Sequence, residues 1–463
     1  MDKGLLAPRR PQGVPWVLAN GEKKHIQTQG TTCHANPAHA MGLGLLCGDF
    51  YHGAGMKSFL TLQSVDAVLD MLEAFPLLPA ETVPLDMAVG RYLAEDFHAP
   101  EDLPGFDRST VDGYAVSARD VFGAQECSPA LLECIGDCPM GAAAGLALRE
   151  GQTARILTGG MLPRGADAVV MVEYSRPVSH DTVEIVRSLA PGDNVLMHDE
   201  DAARGRVAVA AGRVLRPQEI GFLAALGQEQ VTVRRCPRVG IISTGDEIVP
   251  IGETPPPGKV RDVNSHSLAA LCRRAGAQVV CGDLVRDDRE RLAHSVRHAL
   301  DVADIVLVSG GSSAGMRDYT VEIFQSMDAS RLLVHGVSIS PGKPFILARA
   351  GGKCLMGLPG HVSGALVCAQ VFVAPLIRHM QGAQTPIAPQ VRARLTRAVA
   401  STQGRRDYIR VRLAQGAQGW EAVPLLGPSG LVCGLVQADA LVVCPENSEG
   451  LYAGQEVTAL LLC

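Results

Sequence analysis

The sequence predicts a multidomain protein of α/β plus β class, in which an α/β domain with a mostly parallel sheet lies between segments dominated by strands. Three observations carry this. At 463 residues the chain exceeds one ordinary core, and length alone suggests roughly three to four domains. Between residues 237 and 383, apolar strand-like runs alternate with segments of helical periodicity, the pattern of a parallel sheet covered by helices. Residues 99–206 and 384–463 instead hold short strand-like runs separated by Gly and Pro.

Residues 1–55 combine a Pro- and Arg-rich stretch, APRRPQGVP, with CHANPAHAMGLGLLCGDFYHG, which has no periodic face; this predicts a disordered extension. Its four histidines and two cysteines lack metal-ligand spacing, and Met56-Lys57-Ser58-Phe59 reads as an alternative translation start. Ser64 to Phe75 places Val65, Val68, Leu69 and Leu72 on one helical face, with Ser64 as N-cap and Pro76 and Pro79 as the stop. Arg216 to Gly227 is helical again, so 56–98 and 207–236 flank the strand-rich insertion at 99–206, whose runs are YAVSA, ARILTGG, ADAVVMVE and DTVEIVR.

In 237–383, PRVGIIST leads to a turn at Gly245-Asp246-Glu247. Asn264 is placed to cap a helix carrying Leu268, Leu271, Cys272 and Ala275, closed by Gly276. QVVCGDLV is the next strand, and Asp287 and Glu290 have capping-box spacing before a helix with Leu292, Val296, Ala299 and Leu300 inward. IVLVSG, FILAR and CLMGLPG continue the strands, and a long apolar helix runs from Gly360 towards Gln381. The last segment, 384–463, has strand patterns at VRARLTR, DYIRVRL, ALVVCPE and EVTALLL and no helix signal, which predicts a small β-barrel or sandwich.

Lys and Arg number 42 against 48 Asp and Glu, a formal charge of -6, which argues against nucleic acid and for a small ligand or a protein as partner. Thirteen cysteines without a C-x-x-C pair fit neither a zinc site nor a compact disulfide framework, so a reducing cytoplasm is the expected location. Apolar stretches are broken by charge, Gly or Pro before the ~20 residues of a membrane span, and no membrane association is expected.

Chemistry concentrates at four predicted strand ends, where an open parallel sheet gathers ligands. They are Ser243-Thr244-Gly245-Asp246-Glu247, Ser309-Gly310-Gly311-Ser312, Pro341-Gly342-Lys343 within SPGKP, and Gly360 within LPGH. Gly and Ser there let backbone amides approach an oxyanion. A Walker loop would continue into Gly-Lys-Ser/Thr; this chain supplies Gly315, Met316, Arg317 and Asp318. Asp246, Asp262 and Asp318 repel phosphate unless a cation intervenes. Magnesium on Asp246, Glu247 and Asp318 reconciles the two, although Asp246 and Asp318 taken singly also read as helix caps. Lys343 reads as an anion ligand.

GFDRSTVDGYAV, RILTGGMLPRGADAVVMVE, STGDE, VRDVNS, SGGSSAGMRDY, SPGKP and GLPG, in this order, together resemble the molybdopterin molybdenumtransferases, the MoeA and gephyrin E-domain family. The resemblance covers nearly everything from Met56 onward. It implies a linking domain (56–98 and 207–236), an inserted β domain (99–206), a MoaB/MogA-like pterin-binding α/β domain (237–383) and a C-terminal β-barrel-like domain (384–463). It also implies a homodimer that joins the α/β domain of one chain to the inserted domain of the other. Asp112, Thr158, Asp201 and Glu219 match the family's functional positions, as do Asp246 and Lys343 in the α/β domain. Asp262, Asn264, Arg410 and Ser429 complete the implied binding set. The implied reaction takes adenylylated molybdopterin and molybdate, with Mg2+, and releases AMP; other proteins of molybdenum cofactor biosynthesis are implied partners.

The chain departs from the family pattern at several positions. Ser340 precedes PGKP where Lys is frequent, and Leu196 and Asp199 replace an Arg and a Gly. GLPGHVSG replaces GLPGNPVS, and Cys433 and Gly434 replace a Ser pair. Molybdopterin adenylylation and a non-catalytic pterin-binding scaffold or carrier are the alternatives to molybdenum insertion; the first would need only the α/β domain.

Overall fold

A computed structural model describes residues 62–310, 314–384, 389–428 and 430–462, without the side chains of 314–318. The expectations for residues 1–55 and for Gly311, Ser312 and Ser429 therefore lie outside the described residues, as does the Asp318 side chain.

The first helix, Val65–Leu72, starts as expected, with the Ser64 hydroxyl accepting the Ala67 N–H at 3.1 Å. Its buried Val65, Val68 and Leu72 join the core under the α/β sheet. Ala80–Pro84 pairs antiparallel with Gln230–Arg234 beside the helix Pro217–Ala225. Within 99–206 a six-stranded sheet has Gly113–Val116, Gln152–Ile156 and Ala130–Asp137 adjacent, with Ala168–Met171 and Ser175–Pro177 at its edges. At Gly113 a side chain has no room: a Cβ would fall 1.7 Å from the Val170 carbonyl oxygen.

The α/β region contains β1 (Arg238–Thr244), α1 (Asn264–Arg274), β2 (Gln278–Val285), α2 (Arg289–Val302), β3 (Ile305–Gly310), α3 (Ala314–Gln325), β4 (Ser330–His335), β5 (Ile346–Ala350), β6 (Lys353–Leu358) and α4 (Val362–Met380). Sheet order is β2-β1-β3-β6-β5-β4. The first four are mutually parallel, β5 runs antiparallel to both its neighbours, and β4 therefore points the same way as the first four. FILAR is therefore not another parallel strand. Only Gly351 and Gly352 separate β5 from β6, and so short a turn joins antiparallel strands only.

Both faces of this sheet are buried. Ile241, Leu307 and Met356 face one core, with α1 and α4; Ile242, Val306 and Leu355 face the other, with α2 and α3. Two-sided burial accounts for the near-continuous apolar runs of β1 and β3. Helix α4 is long and apolar enough to cross a membrane by composition, but it packs in the domain core and is 67% buried.

Two helix starts differ from expectation. Asn264 is not the N-cap of α1; Val263 holds that position, and the Asp262 carboxylate accepts the Ser265 N–H at 3.1 Å. Asp288, not Asp287, caps α2 by accepting the Arg291 N–H at 2.8 Å. In both places a neighbouring polar residue does the capping and frees the expected one for a contact across the sheet.

The C-terminal strands Gln390–Leu395, Arg406–Gly416, Gly419–Pro424, Ala440–Cys444 and Glu456–Leu461 close into a five-stranded barrel. The sequence reading missed the short helix Cys433–Val436. Ile339–Ser340, at the start of SPGKP, pairs with Arg406–Asp407 of the barrel. That pairing fixes the loop between the two sheets.

Candidate functional site

Two cavities meet at the SPGKP loop, and Pro341, Gly342 and Pro344 belong to the walls of both. The smaller, 240 Å³, lies at the carboxyl ends of β3 and β6 against Gly310, Leu358 and Gly360. The larger, 670 Å³, lies between the loop and the barrel and is lined by Lys343, Arg405, Asp407 and Arg410.

Glycine is required where the walls are made of backbone. Gly310 has φ of 143°, and a Cβ there would sit 2.0 Å from the Thr244 carbonyl oxygen. Gly342 has φ of 133°, and its Cβ would meet the buried Cys368 sulfur at 2.4 Å. Replacing Gly342 with alanine is expected to push the loop off α4 and reduce ligand affinity at least tenfold, measurable by titration calorimetry.

Charge in the larger cavity is mostly positive. Arg405 is paired with Asp407 at 2.9 Å, whose other oxygen accepts the Ser401 hydroxyl at 2.7 Å. Arg410 donates to the Ser363 hydroxyl at 3.2 Å and to the Gly427 carbonyl at 2.9 Å, so it spans from the barrel to the first turn of α4. Gly434 stands close enough that a Cβ would lie 3.0 Å from Arg410 Nη1. Lys343 is exposed on the cavity wall. Arg405 and Ser363 escaped the sequence reading, because only the pairing of Ile339–Ser340 with the barrel strand brings Arg405 to the loop.

Behind the loops, two buried hydrogen-bond chains fix the strand ends. Ser243 donates to Asp262 at 3.0 Å. The Asn264 amide donates to the Ser309 hydroxyl and to the Gly360 carbonyl, each at 2.8 Å. Because a carbonyl can only accept, this places the Asn264 NH₂ unambiguously. Asn264 Oδ1 is left buried without a donor, a cost of about 1–3 kcal/mol that marks the loops as held for a purpose other than stability. The chain thereby links β1, α1, β3 and Gly360, four of the predicted positions.

Asp246 and Glu247 are exposed on the turn after β1. The Thr244 hydroxyl donates to Asp287 at 2.9 Å, and Asp287 N–H lies 3.4 Å from Asp246 Oδ1. Burial, and then the nearby Asp246 and Glu247 charges, push the Asp287 carboxyl above its usual range, while the Thr244 bond opposes this. Among the described residues no three His, Cys, Asp or Glu converge as a complete metal cage. Magnesium needs less: one or two carboxylates, with phosphate oxygens and water as the rest. Asp246 and Glu247 fit that requirement. Asp287 was missed because its spacing to Glu290 read as a cap.

In the inserted sheet, Asp112 Oδ1 accepts both the Thr158 N–H, at 2.7 Å, and the Thr158 hydroxyl, at 2.8 Å. These bonds hold the Asp112 carboxyl below its usual range, the backbone bond most strongly. The pair is exposed, and Asp201 is exposed on a loop tied to Leu103 by its N–H. Described hydrogen bonds and ion pairs of residues 99–206 all end within 99–206. The structure therefore brings Asp112 and Thr158 together but bonds neither to the cavities of its own chain.

Glu219 has a different setting. It is buried at the start of Pro217–Ala225, bound by Arg216 at 2.6 Å and Arg213 at 3.0 Å, and its pKa is held at about 2, chiefly by the Arg216 bond. A depressed carboxylate stabilises the fold above its unfolded pKa and loses that contribution as pH falls through its folded value. Glu219→Gln is therefore expected to lower the melting temperature at pH 7, with the difference from wild type closing between about pH 4.5 and pH 2. Calorimetry across that range checks this.

Three family models match the chain consecutively. The MoeA N-terminal region (domain I and II) matches residues 63–227, a probable molybdopterin-binding domain 240–379, and the MoeA C-terminal region (domain IV) 392–462. A molybdopterin molybdenumtransferase of Staphylococcus aureus is 31% identical over 86% of this chain and 94% of its own length. One from a Nostoc species is 34% identical over 82% of this chain and 88% of its own. A crystal structure of the molybdopterin biosynthesis MoeA protein of Pyrococcus horikoshii has 32% identity and a TM-score of 0.73, covering 87% of this chain and 100% of that one. With these matches spanning the inserted sheet, the α/β region and the barrel alike, the chain belongs to the MoeA family.

Proposed function

We propose that this protein is a molybdenum insertase: it takes adenylylated molybdopterin and molybdate, places molybdenum on the dithiolene sulfurs and releases AMP. The single observation that carries this is the pair of cavities sharing the Pro341–Gly342–Pro344 ridge, one walled by backbone and apolar side chains, the other by Lys343, Arg405 and Arg410. A substrate with organic groups joined through phosphates suits that pair, with the phosphate link at the ridge. Molybdate, a compact dianion, suits the cationic cavity.

In this reading the backbone amides of the strand-end loops bind phosphate oxygens, and Ser243, Asp262, Asn264 and Ser309 hold those loops in place. Lys343 and Arg410 neutralise the charge that builds as a molybdate or water oxygen attacks phosphorus. Asp246 and Glu247, with Asp318, would hold Mg2+, which when bound polarises the phosphate link. Asp112 and Thr158 act in a homodimer, on the cavities of the second copy. Their hydrogen bonds close on themselves, and Phe106 and Leu157, close to them in sequence, with Val172, whose N–H donates to the Asp112 carbonyl, expose apolar surface that an interface would cover. The four-part division at 56–98 with 207–236, 99–206, 237–383 and 384–463 belongs to the same reading.

The test is AMP release from adenylylated molybdopterin by purified protein with Mg2+. Release that requires molybdate, and that Asp246→Ala lowers at least a hundredfold in a folded protein, supports the proposal. Tight binding without molybdate-dependent release would make the protein a carrier instead.

A further inference from the structure

Walls of the smaller cavity are unusual in composition. Among the described residues that line it, only Thr320 and His361 carry a polar side-chain atom; the rest are Gly, Pro, Val, Ile and Leu. Thr320 is buried, whereas His361 is exposed, at the junction of Gly360 with α4. The His361 backbone is extended, with φ of −69° and ψ of 127°, and its ring makes no capping bond to the first turn of the helix. Its carbonyl continues the helix by accepting the Ala365 N–H at 2.9 Å.

Position adds a second constraint. His361 lines the smaller cavity, and Ser363, two residues on, lines the larger one and holds Arg410 there. The first turn of α4 thus runs along the ridge between the cavities. A ligand that fills both passes its connecting atoms over the Pro341–Gly342–Pro344 ridge, beside this turn. In the adenylylated pterin those connecting atoms are phosphate oxygens, which accept hydrogen bonds and make none.

Resting on the insertase reading, we propose that His361 is a further substrate-binding residue, whose imidazole N–H donates to a phosphate oxygen of the adenylylated pterin. An imidazole reaches farther than a carboxamide. It therefore supplies an exposed side-chain donor to a cavity whose other described walls, the buried Thr320 aside, are backbone and carbon.

The experiment is titration calorimetry with AMP as probe, on wild type, His361→Leu and His361→Asn, with melting temperatures alongside. His361→Leu keeps comparable bulk without a donor and is expected to weaken AMP about tenfold or more. His361→Asn, a shorter donor, recovers part of that loss. The melting temperatures show whether each variant keeps the fold, and the comparison of His361→Leu with His361→Asn isolates the loss of the donor. A Leu variant that binds AMP as tightly as wild type overturns the assignment. Failure of the insertase reading looks different: a wild type that binds AMP through His361 yet never releases it from the adenylylated substrate removes the reaction and leaves the contact. A wild type with no affinity for AMP overturns the assignment of His361, while molybdate-dependent AMP release still decides the insertase reading.

Discussion

Gly310→Ala is expected to destabilise the α/β region by about 3 kcal/mol or more and to abolish ligand binding. The residue ends β3 at φ of 143°, paired with Thr244 of β1, and an added Cβ would stand 2.0 Å from the Thr244 carbonyl oxygen and 2.7 Å from its Cγ2. Both contacts lie on a strand buried on each face, so neither side can yield without opening the sheet. Moving Thr244 would also displace the hydroxyl that holds Asp287. Denaturant unfolding read by circular dichroism, with calorimetric titration of AMP, measures both losses. Unchanged stability would show that the loop after β3 leaves the strand with a different backbone geometry.

Arg410→Ala carries the second large effect. The guanidinium bridges Ser363 of α4 and Gly427 of the barrel, so its loss removes a cation from the larger cavity and takes a donor from the Gly427 carbonyl and the Ser363 hydroxyl. Apparent affinity for molybdate is expected to fall about 10- to 100-fold. Arg410→Lys keeps the charge but makes at most one of the two contacts, and it should recover only part of the loss. Steady-state AMP release against molybdate concentration separates these outcomes. Equal molybdate dependence in wild type and Arg410→Ala would place the oxyanion elsewhere.

Periodicity carried most of the architecture into view before any coordinates. Runs such as RVGIIST and IVLVSG are apolar throughout because both faces of their sheet are covered, and the strand ends that follow them hold the predicted loops. What stayed hidden depends on long-range pairing. Arg405 reaches the larger cavity because Ile339–Ser340 pairs with Arg406–Asp407, residues distant in the chain. Asp287 looked like a cap because of its spacing to Glu290, whereas its neighbour Asp288 is the cap. Glu219 was grouped with the functional acids, and its environment adds what sequence could not show: two arginines and burial that hold it ionised. Asn264 shows the reverse case. Its position before a helix suggested capping, whereas its amide ties Ser309 to Gly360 across the carboxyl edge of the sheet.

In the proposed mechanism, negative substrates are brought together where the cation-lined cavities of one chain meet the Asp112–Thr158 pair of another. Mixing two inactive variants tests this most directly. One chain carries Asp112→Ala and the other Lys343→Ala with Arg410→Ala, and subunits are exchanged before AMP release is measured. A statistical mixture should regain about a quarter of wild-type activity, since half the dimers then hold one intact centre of two. A mixture that exchanges subunits and stays as inactive as its parents would contradict a shared centre.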